Sequence, residues 1–189
     1  MEPIPVLFTE KRSTYLQKPW ADCYNVKRDA RTYKGSGPVI AHPPCRLWGR
    51  LRTFSTADPR EKELAVWAVE QVMAVGGILE HPAGSTLWDH CNLPKPNKGS
   101  TSDSVFSISV DQSWFGHPCK KDTWLLISGT TAAHLPPITL SFSPVTHVME
   151  TSKNTPYLPP LPKSLRSHTP SLLCDYLAEV IAVIRAAKA

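Results

Sequence analysis

The stretch PVIAHPPCRLWGRLRTFSTADPREKELAVWAVEQVMAVGGILEHP, residues 38–82, decides the fold. It opens with Pro38-Val-Ile-Ala41, a brief apolar run suited to a buried strand. It closes with a second such run, Ile78-Leu-Glu80, stopped by Pro82. Between them lies the best helix signal in the chain. Asp58 is placed as N-cap, Pro59 falls at the first helical position, and Glu61 follows three residues after the cap. Glu61 to Val75 is apolar around much of its circumference, which predicts a well-buried helix, and Gly76-Gly77 can end it in the left-handed conformation. Strand, helix and strand in such a short span predict a βαβ unit with parallel strands and a right-handed crossover.

Working outward, Pro5 to Thr9 reads as a first strand and Ala21 to Val26 as a second, before Gly35-Ser-Gly37 breaks the chain. Val105 to Val110 and Thr123 to Ser128 read as two more strands, separated by a turn-rich loop. Thr169-Pro170 starts a C-terminal helix to about Ala187, with Leu172, Leu173, Tyr176, Leu177, Val180, Ile181 and Ile184 on its apolar face. The expected fold class is α/β: an abbreviated Rossmann-like, mostly parallel sheet with flanking helices. It is expected as a single domain over residues 1–189, with a proline-rich irregular segment at about 130–163.

Composition agrees with one domain of ordinary size. Six Trp, five Phe and five Tyr exclude disorder as the main state. The 19 prolines are about twice ordinary usage, while only nine glycines occur, which excludes collagen and Gly/Ser linkers. The net charge of +5 favours a polyanionic partner, and seven of the 21 Lys and Arg fall between Lys27 and Arg52. The five cysteines form no CxxC pair, Met1 to Pro5 does not open a signal peptide, and no run is long enough to cross a bilayer. These features predict free thiols in a reducing cytoplasm and no membrane partner.

Ligands of open parallel sheets bind beyond the carboxyl ends of the strands. The βαβ strands end in His42-Pro-Pro-Cys45 and Glu80-His-Pro82, so the Cys45 thiol and the Glu80 carboxylate should meet on one sheet edge. Pro43, Pro44 and Pro82 would hold these loops in fixed, non-helical shapes. A thiol beside an acid on stiff loops suits a covalent nucleophile with a proton donor or substrate anchor. The plainer reading makes Cys45 a small buried hydrophobe and Glu80 a helix cap or an arginine's partner.

These residues resemble the DNA cytosine-C5 methyltransferases. His42-Pro-Pro-Cys45 resembles their Pro-Cys motif, and Glu80-His81-Pro82 their Glu-Asn-Val motif. Phe115-Gly-His-Pro-Cys-Lys-Lys-Asp-Thr123 is similar to their Tyr/Phe-Gly-x-Pro-Gln-x-Arg-x-Arg motif. Ser167-His-Thr-Pro170, before a helix, resembles the last motif, which returns to the cofactor side. The resemblance covers about residues 38–185 and is closest to short phage and prophage proteins labelled methyltransferase-like.

The resemblance implies that the Cys45 thiolate attacks C6 of a pyrimidine and that Glu80 anchors the base at N3 and N4, with the base flipped out of its stack. His42, Pro44, His81 and Lys121, the last at the first Arg of the third motif, are the implied substrate contacts. Arg46, Arg50 and Arg52 fall in the family's loop over DNA, where guanidiniums with Trp48 and Phe54 interleaved suit phosphate contact and stacking. A surface loop with a buried tryptophan is the alternative there. The implied partner is nucleic acid, DNA foremost, or a nucleotide, and the implied cofactor is S-adenosylmethionine.

The sequence also departs from the family. Its Phe-x-Gly-x-Gly cofactor turn has no counterpart, because Val6-Leu-Phe8 is followed by Thr9-Glu-Lys-Arg12 and the first glycine is Gly35. Asp22 and Asp29 are the available ribose ligands. No large target-recognition domain follows Ile127. Two further readings therefore stand beside the base-modifying enzyme. One is a non-catalytic nucleic-acid-binding or interaction protein on a degenerate scaffold. The other is a zinc protein drawing on His42, Cys45, His81, His90, Cys91, His117 and Cys119, although none of these pairs has finger spacing.

Overall fold

A computed structural model describes residues 2–98, 102–149 and 157–188. Among the described residues six strands form one sheet: β1 (Ile4–Leu7), β2 (Ala21–Cys23), β3 (Val39–Ala41), β4 (Gly77–Pro82), β5 (Val105–Asp111) and β6 (Asp122–Ser128). Their order across the sheet is β2-β1-β3-β4-β6-β5. The first four are mutually parallel, and β6 pairs antiparallel with both β4 and β5. The fold is thus α/β with a mostly parallel sheet, compatible with a Rossmann-like arrangement.

Helix α1 (Glu61–Val75) connects β3 to its parallel neighbour β4, as the 38–82 stretch predicts. Helix α2 (Leu87–His90) is a single short turn, and α3 (Ser171–Ala186) closes the chain. The strands' alternation sorts their side chains onto two faces. Val39, Ala41, Leu79 and Leu126 pack with Ala65, Ala68, Val69 and Val72 of α1. Ile40, Ile78, Leu125 and Ile127 pack with Leu173, Leu177, Val180 and Ile184 of α3. Burial on both faces explains why β3 and β4 read as continuous apolar runs rather than alternating ones.

Several boundaries differ from the sequence reading. β1 starts at Ile4, whose N–H donates to the Trp20 carbonyl at 2.8 Å, and ends at Leu7 because Phe8 takes a positive φ of 64°. β2 ends at Cys23 because Asn25 turns the chain, its side-chain oxygen accepting from the Lys27 and Arg28 N–H groups. Asp58 does not cap α1. Its carboxylate accepts from the Arg60 N–H and guanidinium, and the helix starts at Glu61. Burial of α1 is also narrower than expected: only the stripe Ala65, Ala68, Val69 and Val72 is fully covered, and Met73 faces solvent. Alanine at two of those positions lets the helix sit close to the sheet, leaving its flanks at the rim.

Gly76 ends α1 with φ 76°. At Gly77 a Cβ would lie 2.1 Å from the Val39 carbonyl oxygen, so only glycine lets β4 begin beside β3. Residues 130–149 and 157–163 contain 3-10 turns and isolated bridges but neither α-helix nor named strand, as the prolines predict; the rest of the expected irregular segment, 150–156, lies outside the described residues. Among the described residues no helix is long and apolar enough to cross a membrane.

Candidate functional site at the carboxyl ends of the parallel strands

The order β2-β1-β3-β4 reverses direction between β1 and β3, and the crevice beyond such a reversal is where open α/β sheets bind ligands. His42 follows β3 at that point, and Cys45 follows His42 by three residues. Glu80 comes from β4, paired in register with Leu125 of β6. Lys121 stands just before β6. The topology therefore brings all three sequence motifs to one edge.

A chain of hydrogen bonds organises this edge. His42 Nδ1 is 3.1 Å from Glu80 Oε2, and His42 Nε2 is 3.0 Å from the Tyr15 hydroxyl. Glu80 Oε1 accepts from the Gln112 amide at 3.0 Å, and the same amide nitrogen donates to the Thr123 hydroxyl, also at 3.0 Å. Nδ1 of His42 carries the proton donated to the ionised Glu80, while Nε2 accepts from the Tyr15 hydroxyl when the imidazole is neutral and donates to the Tyr15 oxygen when it is charged. Burial pushes the Tyr15 phenol well above its ordinary pKa, so the hydroxyl stays a donor. Burial alone would raise the Glu80 carboxyl. The His42 hydrogen bond, with charge from His42, Lys121 and His81, overcomes it and brings Glu80 to about 2. Glu80 is an anion at every physiological pH, yet 14% of its side chain stays accessible.

Cys45 is within reach of the Glu80 charge. Burial pushes its thiol up, Glu80 pushes it further, and Lys121 and Arg46 pull in the opposite direction. The net direction is upward, so the free protein carries a thiol rather than a thiolate at this position.

The remaining expected contacts divide. His81 is buried, with Nδ1 2.8 Å from the Ser85 hydroxyl and its ring stacked on Trp88. Burial, partly offset by Glu80 and by the Pro44 and Pro43 carbonyls, lowers it to about 4. It props the β4 end from beneath as a neutral imidazole. His42 has both ring nitrogens engaged within the protein and so orients Glu80 rather than standing free for a ligand. Pro44 belongs to the connection between His42 and Cys45. Lys121 Nζ donates to the His168 carbonyl at 3.2 Å, tying the third motif to Ser167–Pro170. That last segment returns beside the β1–β2 connection, where Thr14 donates to the Thr169 carbonyl at 2.6 Å and Ser167 to Glu10 at 2.6 Å.

The loop after Cys45 is anchored rather than loose. Arg46 pairs with Glu61 at 2.7 Å, and Thr86 donates to the Trp48 carbonyl at 3.1 Å. Trp48 is only 4% exposed, which corrects its reading as a stacking platform. Phe54 is 82% exposed and sits in a 3-10 turn with the exposed Arg52, whose guanidinium donates to the Gly49 carbonyl at 3.4 Å. Arg50 lies in the same loop and makes contacts of its own.

The end of β1 lacks a cofactor cradle of the glycine type. Phe8 holds the positive φ, and both the N–H and hydroxyl of Thr9 are spent on the Tyr24 carbonyl, at 2.8 and 2.9 Å. Asp22 is paired with Arg28, and Asp29 caps a turn while pairing with Arg31 at 2.6 Å. These residues do not fit S-adenosylmethionine in the way the resemblance implies. Among the described residues, no three His, Cys, Asp or Glu converge to hold a metal ion, which leaves the zinc reading without a ligand set there. An open cleft of about 470 Å³ lies between the third motif and α3, lined by Phe115, Ser141, His168, Ser171 and Leu172, and neither Cys45 nor Glu80 lines it.

Sequence reading did not find Tyr15, Gln112 or Thr123 as partners of the site. Tyr15 lies in a short 3-10 turn with no motif around it, and Gln112 reaches Glu80 only because β6 carries β5 alongside. No family model matches the chain, and neither the curated proteins nor the solved structures contain a match to it.

Proposed function

We propose that the protein acts on a pyrimidine base of nucleic acid, as the cytosine-C5 methyltransferases do, with Cys45 as nucleophile and Glu80 as base anchor. The observation that supports this reading is that Cys45, Glu80 and Lys121 all stand at the carboxyl-end edge of the parallel strands, by the sheet's reversal point, with Cys45 and Lys121 in electrostatic reach of Glu80. DNA is the favoured substrate. The exposed Phe54 beside Arg52 supports stacking and phosphate contact on a single strand or a flipped base.

The covalent step needs only this chain and water. Cys45 gives its proton to solvent, its sulfur bonds to C6, and the C5=C6 pair moves to C5, which takes up a proton. Glu80 accepts hydrogen bonds from the base's exocyclic amine, and from N3–H once N3 gains a proton. Loss of the original C5 proton and expulsion of the thiolate restore the base. No methyl-transfer step is derived, because the β1 end does not fit the methyl donor. Hydrogen exchange at C5 tests the reading: deuterium from D2O should enter C5 of a cytosine-containing oligonucleotide incubated with the protein, and should no longer do so with Cys45→Ala.

The upward shift of the Cys45 thiol and the closed β1 end favour a second reading, a non-catalytic nucleic-acid-binding protein on the same sheet. It predicts salt-sensitive binding that is weakened by Arg52→Ala and indifferent to Cys45→Ala.

A further inference from the structure

Gln112 lies at the start of the 3-10 turn Gln112–Phe115 that follows β5, and it is 0% exposed. Its Nε2 donates to Glu80 Oε1 and to Thr123 Oγ1. The Thr123 hydroxyl proton is committed to the Lys121 carbonyl at 3.1 Å, so the Thr123 oxygen must accept. Glu80, as an anion, can only accept. Both neighbours therefore demand the amide's nitrogen, and the opposite amide orientation is excluded. The cost falls on Gln112 Oε1, which is buried and has no hydrogen-bond partner among the described residues. A residue kept for packing would not carry an unsatisfied buried carbonyl, since leucine or methionine would fill the space without that cost.

We propose that Gln112 is a positioning residue whose amide, acting opposite His42, clamps Glu80 as an acceptor-only carboxylate in the orientation that meets the base. The proposal rests on Glu80 as base anchor. Each carboxylate oxygen receives one protein donor, Nδ1 of His42 at Oε2 and Nε2 of Gln112 at Oε1. The carboxylate plane cannot rotate without breaking one of them. Each oxygen keeps lone-pair capacity for a ligand's N–H groups.

Gln112→Glu separates positioning from packing, because it preserves size and makes the donor depend on a proton. When protonated, the introduced carboxyl donates to Glu80 as the amide does; when ionised, it repels Glu80. The other titratable groups in electrostatic contact with Glu80 are His42, His81, Lys121, Cys45 and Tyr15, and all are retained.

Carbon-13 NMR of carboxyl-labelled glutamates reads the clamp directly. The wild-type Glu80 signal should stay ionised down to about 2. In Gln112→Glu the two carboxyls should share a proton, with an upper midpoint more than about one unit above an ordinary glutamate. Two ordinary titrations would overturn the proposal. In a C5 deuterium-exchange assay on a cytosine oligonucleotide, Gln112→Glu should be about tenfold slower than wild type at pH 8. Near pH 5.5 it should come within about threefold of wild type at the same pH. Gln112→Met should stay about tenfold slow at both pH values with a melting temperature close to wild type. Wild-type exchange by Gln112→Met, or a Gln112→Glu profile parallel to wild type, would also overturn it. If wild type exchanges no pyrimidine, the base reading fails, and the NMR titration still decides the clamp.

Discussion

His42 Nδ1 and Glu80 Oε2, 38 residues apart in sequence, meet at 3.1 Å where β3 and β4 end side by side. This contact joins the two proline-bounded loops of the βαβ unit and sets the charge of the site. Replacing His42 by Ala removes both the hydrogen bond and the charge that hold Glu80 near 2. The Glu80 pKa should rise, and the variant should lose about 1–3 kcal/mol of stability at pH 7. Because the folded pKa is depressed, this contribution is present above the unfolded value of 4.5 and is lost as pH falls toward about 2. Urea unfolding of wild type and His42→Ala should therefore converge over that window. A constant difference down to pH 2 would contradict the assignment.

His81 gives a second, higher window. A histidine held neutral, with its pKa lowered to about 4, leaves the unfolded chain binding a proton that the folded protein refuses. Stability should fall as pH drops from the unfolded value of 6.5 toward 4. His81→Leu should flatten that part of the curve in urea titrations at several pH values.

Gly77 is the backbone position with least tolerance. Gly77→Ala places a methyl 2.1 Å from the Val39 carbonyl oxygen, at a φ of 133° that alanine rarely adopts. The β3–β4 pairing must open to admit it. A loss of about 3–5 kcal/mol is expected, seen as a large fall in melting temperature or as insoluble protein.

The loop beyond Cys45 separates stacking from packing. Phe54→Ala should leave the melting temperature unchanged and weaken single-stranded DNA binding by about 1–3 kcal/mol. Trp48→Ala should do the reverse, costing about 3–5 kcal/mol of stability through its buried ring. Arg52→Ala should lower the salt slope of binding by about one, measured by fluorescence anisotropy across ionic strengths.

The parallel core was legible because its signals are local. Two apolar runs, a helix between them and the glycines at 76 and 77 define β3, α1 and β4, and the parallel pairing then predicts that Cys45 and Glu80 share an edge. The hydrogen-bond partners of Glu80 were not legible. Tyr15 and Gln112 arrive from neighbouring elements by strand order, which no periodicity in the sequence encodes, and the antiparallel placement of β6 between β4 and β5 is what carries Gln112 there. The capping signal at Asp58 falls short of the helix because its carboxylate caps the preceding turn, accepting from the Arg60 N–H, and Trp48 misled because burial cannot be read from its arginine neighbours.

The covalent role of Cys45 is tested most directly by incubating the protein with a cytosine-containing single-stranded oligonucleotide in D2O and reading deuterium at C5 by mass spectrometry. Reversible addition at C6 predicts exchange that speeds up with rising pH, since the thiol must first ionise, and that disappears in Cys45→Ala. Exchange that persists in Cys45→Ala, or no exchange by a wild-type protein that binds the oligonucleotide, would contradict it.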